Sequence, residues 1–247
     1  MKRDLYTWLV SQKNAGKKLL AVLIDPDKAD SEHLDKLLSS QNLPYIDLLL
    51  IGGSLLTKGD MDTTLKDITA RCDIPTVIFP GDADQICSRA DALLLLSLIS
   101  GRNPDLLIGK HVASAIRLKK SELEIISTGY MIVDGGTETT ASYVSGTPPL
   151  PANKPGLAAM TALAGEQLGK QVIYMDAGSG AHYPISAEMI AEVRGEIKIP
   201  IIVGGGIRDK NGVRSAWEAG ADVVVIGNVL ENKPSLLPEL HNDVVHR

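Results

Sequence analysis

Two glycine-ended apolar runs near the end of the chain constrain its fold more than any other feature. Ile201-Ile202-Val203 opens into Gly204-Gly205-Gly206-Ile207-Arg208, and about twenty residues later Val223-Val224-Val225-Ile226 ends in Gly227-Asn228. Each run is short and continuous, and each is followed by a helix-like stretch, so each presents bare backbone N–H groups at the C-terminal end of a buried strand. Amides of that kind hold a phosphate without a cationic side chain. Two such ends on the last two strands are what the phosphate site of a (β/α)8 barrel requires. The expected fold is therefore α/β: one TIM-barrel domain over residues 1–247, with the standard phosphate-binding site at its seventh and eighth strands.

The rest of the chain supplies the strands such a barrel needs. Apolar runs bounded by Gly, Pro or Asp lie at 19–24, 46–51, 76–79, 92–96, 124–133, 172–175, 200–203 and 222–226, which makes eight. They are continuous rather than alternating, as strands buried on both faces by a helical shell must be. Helical periodicity fills the intervals at 31–39, 61–71, 104–119, 154–168, 186–194 and 210–219 and in the tail from 235, and 1–18 reads as a helix capping the barrel floor through Leu5, Trp8 and Leu9. Two intervals depart from the pattern. Residues 81–91 are short for a crossover helix and read as a loop or single turn, so the third helix is irregular or missing. Residues 134–153, rich in Gly, Thr, Ser and Pro, form a long connection expected to act as a lid or wall of a site.

Composition narrows the partners. A formal charge of −5 argues against nucleic acid or an anionic membrane surface as the partner, since those need a basic face. No apolar stretch reaches the ~20 residues of a membrane-spanning helix. Cys72 and Cys87, in a chain without a secretory-type leader, point to a reducing cytoplasm and imply no disulfide. His33, His111, His182, His241 and His246 keep no metal-ligand spacing and read as surface or satisfied imidazoles.

Polar residues follow other strand ends on the same face of a barrel: Asp25-Pro26-Asp27-Lys28, Gly52-Gly53-Ser54 and Asp176-Ala177-Gly178-Ser179-Gly180-Ala181. A carboxylate at one strand terminus beside a hydroxyl from its neighbour makes an oxygen-rich corner suited to Mg²⁺. Asp25 ahead of Pro26 equally fits a turn and cap, and Ser54 alone fits a loop serine. Gly178-Ser179-Gly180 reads as a third anion-binding glycine turn, at a helix N-terminus. Asp176 beside it is placed to take a proton from a substrate hydroxyl, although an N-cap role also fits.

At these residues the sequence resembles the geranylgeranylglyceryl phosphate synthase family, whose bacterial relatives include heptaprenylglyceryl phosphate synthase. The resemblance covers essentially the whole chain. It rests on Leu23-Ile24-Asp25-Pro26-Asp27-Lys28, Ile51-Gly52-Gly53-Ser54, Tyr174-Met175-Asp176-Ala177-Gly178-Ser179-Gly180-Ala181, Val203-Gly204-Gly205-Gly206-Ile207 and Gly227-Asn228, in order and at the right intervals. It implies a Mg²⁺-dependent prenyl transfer from a polyprenyl diphosphate, most simply geranylgeranyl diphosphate, to the C3 hydroxyl of sn-glycerol 1-phosphate, forming an ether-lipid precursor. Asp25 and Ser54 would ligate the metal. Tyr174, Met175, Asp176, Ala177, Gly178, Ser179, Gly180, Gly205, Gly206, Gly227 and Asn228 would hold glycerol phosphate, with Asp176 the catalytic carboxylate. The resemblance also implies a missing third barrel helix and a homo-oligomer, dimer or hexamer. One position departs: the family commonly has Tyr-Leu-Glu where this chain has Tyr174-Met175-Asp176, so the acidic group is one methylene shorter. The glycine sites alone also fit a phosphate-binding barrel isomerase, epimerase or lyase, or a barrel that binds a phospholipid or FMN without turnover.

Overall fold

A computed structural model describes residues 4–241. Eight parallel strands close in chain order into one barrel: β1 (Leu19–Ile24), β2 (Leu48–Ile51), β3 (Thr76–Ile78), β4 (Ala92–Leu98), β5 (Glu124–Ile132), β6 (Val172–Asp176), β7 (Ile201–Gly204) and β8 (Val223–Ile226), the last pairing back to β1. Every run expected as a strand is one. Their continuity has the anticipated cause, because successive side chains point alternately inward and outward and both directions are apolar. Leu19, Ala21, Leu50, Val77, Tyr174 and Val225 fill the barrel, whereas Leu20, Val22, Leu49, Ile173, Val203 and Val224 face the helical shell. Each buried Leu, Ile or Val side chain among these contributes about 1.5–3 kcal/mol as an upper estimate.

The helices start where their caps dictate. α2 (Ser31–Leu37), α3 (Met61–Thr69), α7 (Ala187–Glu196) and α8 (Lys210–Glu218) begin after Asp30, Asp60, Ser186 and Asp209, each accepting from an N–H in the first turn. α1 (Leu5–Asn14) closes the barrel floor as expected. Leu5 and Leu9 pack into the inner cluster, and Glu124 at the base of β5 accepts the Leu5 and Tyr6 N–H groups at 2.6 and 2.8 Å. α6 (Pro155–Gln167) starts with proline in its first turn, where a missing N–H costs nothing.

The departures from regular alternation all lie at the opposite, C-terminal end. No helix follows β3. Residues 81–91 remain turns, held by the Gly81 N–H on Gln85 Oε1 at 2.9 Å and by the ion pair of Asp82 with Lys110 at 2.8 Å. The helix expected over 104–119 opens with one π turn, Asp105–Gly109, before α4 (Lys110–Ser121). The stretch 134–153 contains an element not anticipated, α5 (Thr140–Ser145), nucleated by a reciprocal Thr139–Ser142 capping box. Its return is pinned by a bridge between Val133 and Leu150. After β8 comes a short α9 (Asn228–Asn232), and the expected tail helix appears as α10 (Leu237–His241). The remainder of the tail, with His246, lies outside the described residues. Among the described residues no helix is long and apolar enough to cross a membrane, and Cys72 and Cys87 are both free.

Candidate active site

The glycine-ended strands deliver three loops to one place. Gly205 follows β7 at φ +82°, and a Cβ there would stand 2.5 Å from the Gly178 nitrogen and 2.8 Å from Asp176 Oδ1. Gly206, at φ +72°, would meet the Tyr183 carbonyl at 2.7 Å. Both positions therefore need glycine for conformation and for clearance. The loop after β6 is joined in turn to the start of α9, because Ser179 Oγ donates to Asn228 Oδ1 at 3.0 Å. The loops after β6, β7 and β8 thus touch one another, and Gly227 caps the N-terminus of α9. Gly178-Ser179-Gly180 does not itself open a helix, contrary to expectation. α7 begins only at Ala187, so this turn offers amides without a helix dipole. The short helix at the mouth is α9, the arrangement phosphate-binding barrels use.

Within the segment 174–180 the residues divide by direction. Tyr174 and Asp176 point into the barrel, whereas the side chains of Met175 and Ala177 are buried in the shell, so the latter two can offer only backbone. Ser179 and Gly180 are exposed at the rim. Asp176 ends β6 at 7 % exposure, in register with Ile132 and Gly204. Its Oδ1 accepts the Gly178 N–H at 2.7 Å and its Oδ2 accepts the Tyr130 hydroxyl at 2.6 Å. Burial raises its pKa above the ordinary carboxylate value, and the two hydrogen bonds offset part of that rise. Tyr130 titrates well above an ordinary phenol, first from burial and then from the neighbouring Asp176 charge. Phe79, Tyr130 and Tyr174 form a contiguous aromatic floor, with Phe79 stacked on Tyr174 at 4.8 Å.

Asp25 and Ser54 stand at the ends of β1 and β2, paired in register up to Ile24 and Ile51. A Cβ on Gly53 would lie 3.3 Å from Asp25 Oδ1, so the carboxylate rests against the chain immediately before Ser54. Asp25 Oδ1 accepts the Asp27 N–H at 3.0 Å, and Lys28 Nζ lies 3.7 Å from Oδ2. Lys28 also donates to Glu231 of α9 at 3.0 Å, which ties this corner to the glycine loops across the mouth. Asp27 holds the β2 loop in place by accepting from Thr57, Lys58 and Gly59, and those bonds hold its carboxyl well below the usual range. Among the described residues no three His, Cys, Asp or Glu side chains form a metal cage. Asp25, resting against the chain just before Ser54, would supply a hard oxygen ligand of the kind Mg²⁺ accepts when substrate phosphates complete its shell.

An apolar groove opens at this mouth where the helix after β3 is absent. Its lining includes Ser54, Leu95, Leu106 and Tyr130, with Ser114 and Leu118 from α4. α5 contributes a wall through Ala141 and Val144, so part of 134–153 lines the groove, in keeping with the wall expected there. Sequence reasoning missed Tyr130, Lys28, Glu231 and Arg208, the last of which donates to the Ala181 and His182 carbonyls and braces the β6 loop. The spacing by two within β5 marks Tyr130 as inward-facing, the one available signal.

The match with known proteins is close. A model described as the PcrB family covers residues 13–245. The chain is 48% identical over 246 residues to the geranylgeranylglyceryl phosphate synthase of Chitinophaga pinensis, covering 100% of this chain and 97% of that one. It is 40% identical over 228 residues to the protein of that name from Pyrococcus furiosus, covering 92% and 90%. The crystal structure of (S)-3-O-geranylgeranylglyceryl phosphate synthase from Thermoplasma acidophilum, in complex with sn-glycerol-1-phosphate, superposes with a TM-score of 0.90 at 28% identity, covering 98% of each chain. A thiamine phosphate pyrophosphorylase from Pyrococcus furiosus, at TM-score 0.57 and 14% identity, shares the barrel alone. With a family model over residues 13–245 and relatives that cover nearly the whole chain, the chain belongs to the PcrB family.

Proposed function

We propose that this protein transfers a geranylgeranyl group from its diphosphate to the C3 hydroxyl of sn-glycerol 1-phosphate, releasing diphosphate, in a Mg²⁺-dependent reaction. One observation carries the reading: the apolar groove opens at the same mouth where the three touching glycine loops face the Asp25 corner. The loops after β6, β7 and β8 hold the glycerol phosphate by backbone amides. Asp25 and Ser54 would hold the metal, which would supply positive charge to offset that of the diphosphate leaving group. The groove takes the prenyl tail, each buried methylene adding about 0.8 kcal/mol. Holding both substrates converts the attack of the hydroxyl on the allylic carbon into a unimolecular step. Asp176 receives the proton, and its burial makes the neutral acid a comfortable end state. The protein works as a homo-oligomer, dimer or hexamer, which light scattering resolves.

The deciding experiment incubates the protein with labelled sn-glycerol 1-phosphate, geranylgeranyl diphosphate and Mg²⁺, with an EDTA arm. A lipid-soluble labelled product that disappears with EDTA is expected. Binding of both ligands without product would point instead to a barrel that binds without turnover, and no binding of either would favour an isomerase or lyase acting on another phosphate.

A further inference from the structure

The carboxylate at Asp176 is one methylene shorter than the glutamate common in the resembled family, yet it is not idle at the end of its strand. Oδ1 faces the glycine loops and already accepts the Gly178 N–H, while Oδ2 lies 2.6 Å from the Tyr130 hydroxyl. Tyr130, unlike Asp176, belongs to the lining of the groove in which the allylic carbon would lie. Its ring is held by edge-on contacts with Phe79 and Tyr174 at 5.8 and 5.7 Å, so the hydroxyl has a fixed direction. Tyr130 therefore stands between the groove and the carboxylate. We infer that Tyr130 is a catalytic residue in this chain: its phenolic oxygen takes the proton of the glycerol hydroxyl as its own proton passes to Asp176 Oδ2.

The inference rests on the prenyl-transfer reading and deepens it. In one passage the glycerol O–H bond breaks, the new C–O bond forms at the allylic carbon, and the diphosphate leaves with the electron pair of its C–O bond. The hydroxyl proton moves to Tyr130 Oη and the phenol proton to Asp176, which ends neutral. Tyr130 is regenerated within the step, so no free phenolate accumulates. That matters because a buried phenolate beside a carboxylate would be strongly disfavoured. The proton returns to water through the same pair after product release.

The test is a double-mutant cycle of Tyr130→Phe and Asp176→Glu, read by turnover together with calorimetric affinity for sn-glycerol 1-phosphate and melting temperature. In the unmodified background Tyr130→Phe should lower kcat about a hundredfold or more, the scale of a lost acid–base group, with affinity and melting temperature little changed. In the Asp176→Glu background the same change should cost less than about tenfold, because the longer carboxylate reaches the hydroxyl itself. Equal losses in both backgrounds, retained activity in Tyr130→Phe, or a folded but inactive Asp176→Glu protein would each overturn the relay. Should Tyr130→Phe fail to fold, a proton inventory of single-turnover transfer by the unmodified protein decides. A bowed dependence on deuterium content supports two protons in motion, and a linear or absent one overturns it. No labelled product from the unmodified protein would overturn the transfer reading itself.

Discussion

Asp25 and Gly205 do different work at the barrel mouth, and single substitutions should separate them. Asp25 contributes charge to the corner at β1 and β2 but touches none of the glycine loops except indirectly, through Lys28 and Glu231. Asp25→Ala should abolish turnover and weaken diphosphate binding while calorimetry finds glycerol phosphate affinity within about threefold of normal, the local loss expected for a metal ligand. Equal loss of both ligands would contradict the metal role. Gly205→Ala places a methyl in the left-handed region and against the Gly178 nitrogen. It should cost at least about 1–2 kcal/mol in denaturant unfolding and lower glycerol phosphate affinity more than tenfold. Both positions stand out in the sequence as an acid and a glycine close behind an apolar run, although Asp25 ahead of Pro26 fits a turn and cap equally well. Tyr130 was not legible, because nothing in a strand's own sequence says which inward residue meets a carboxylate from the next strand. Its role appears only once Tyr130 and Tyr174 fall in register and Asp176 comes within reach.

The groove is made by elements that break the strand–helix alternation. The missing helix after β3, the π turn at Asp105–Gly109 and the short α5 together leave room beside β4 that a regular barrel would fill. The first gap was expected from the shortness of 81–91. α5 was not, because its six residues carry no apolar period and its start depends on the Thr139–Ser142 box. The π turn also leaves no periodic signature, since it differs from an α-helix only in which carbonyl each N–H selects. Ser114 of α4 lines the groove and is 5 % exposed. Ser114→Trp should fill part of the groove. The kcat/KM for geranylgeranyl diphosphate should fall about tenfold relative to geranyl diphosphate, with glycerol phosphate affinity unchanged. A uniform loss with both donors would show that the tail does not lie there.

At the scale of the molecule, stability is spent at one end and stored at the other. The floor is apolar and closed by α1, whereas the mouth keeps a buried carboxylate whose ionised form the fold disfavours. Because its folded pKa lies above the unfolded value, the folded state binds the extra proton, and stability falls as pH rises from the unfolded value through the folded one. Above that window the penalty is complete. Asp176→Asn should therefore raise the melting temperature at neutral pH, by about 2–4 °C for each kcal/mol relieved, while abolishing turnover. The gain should vanish below the ordinary carboxylate range, where Asp176 is neutral in both states. A melting temperature that falls at neutral pH would show that the Tyr130 and Gly178 hydrogen bonds outweigh the desolvation.

The sequence by itself determined the barrel, its strand positions, the loops that carry glycine and the carboxylates that end strands, because continuous apolar runs, turn residues and caps act over a few neighbours. Only the tertiary structure decided which of those groups meet. It turned Met175 and Ala177 into the shell, set Gly178-Ser179-Gly180 apart from any helix start, and brought Tyr130 to Asp176 and Lys28 to Glu231. The reason is geometric: inward and outward directions alternate residue by residue, and the contacts that make a site join residues 46 and 203 positions apart, which closure of the barrel alone can bring within hydrogen-bonding distance.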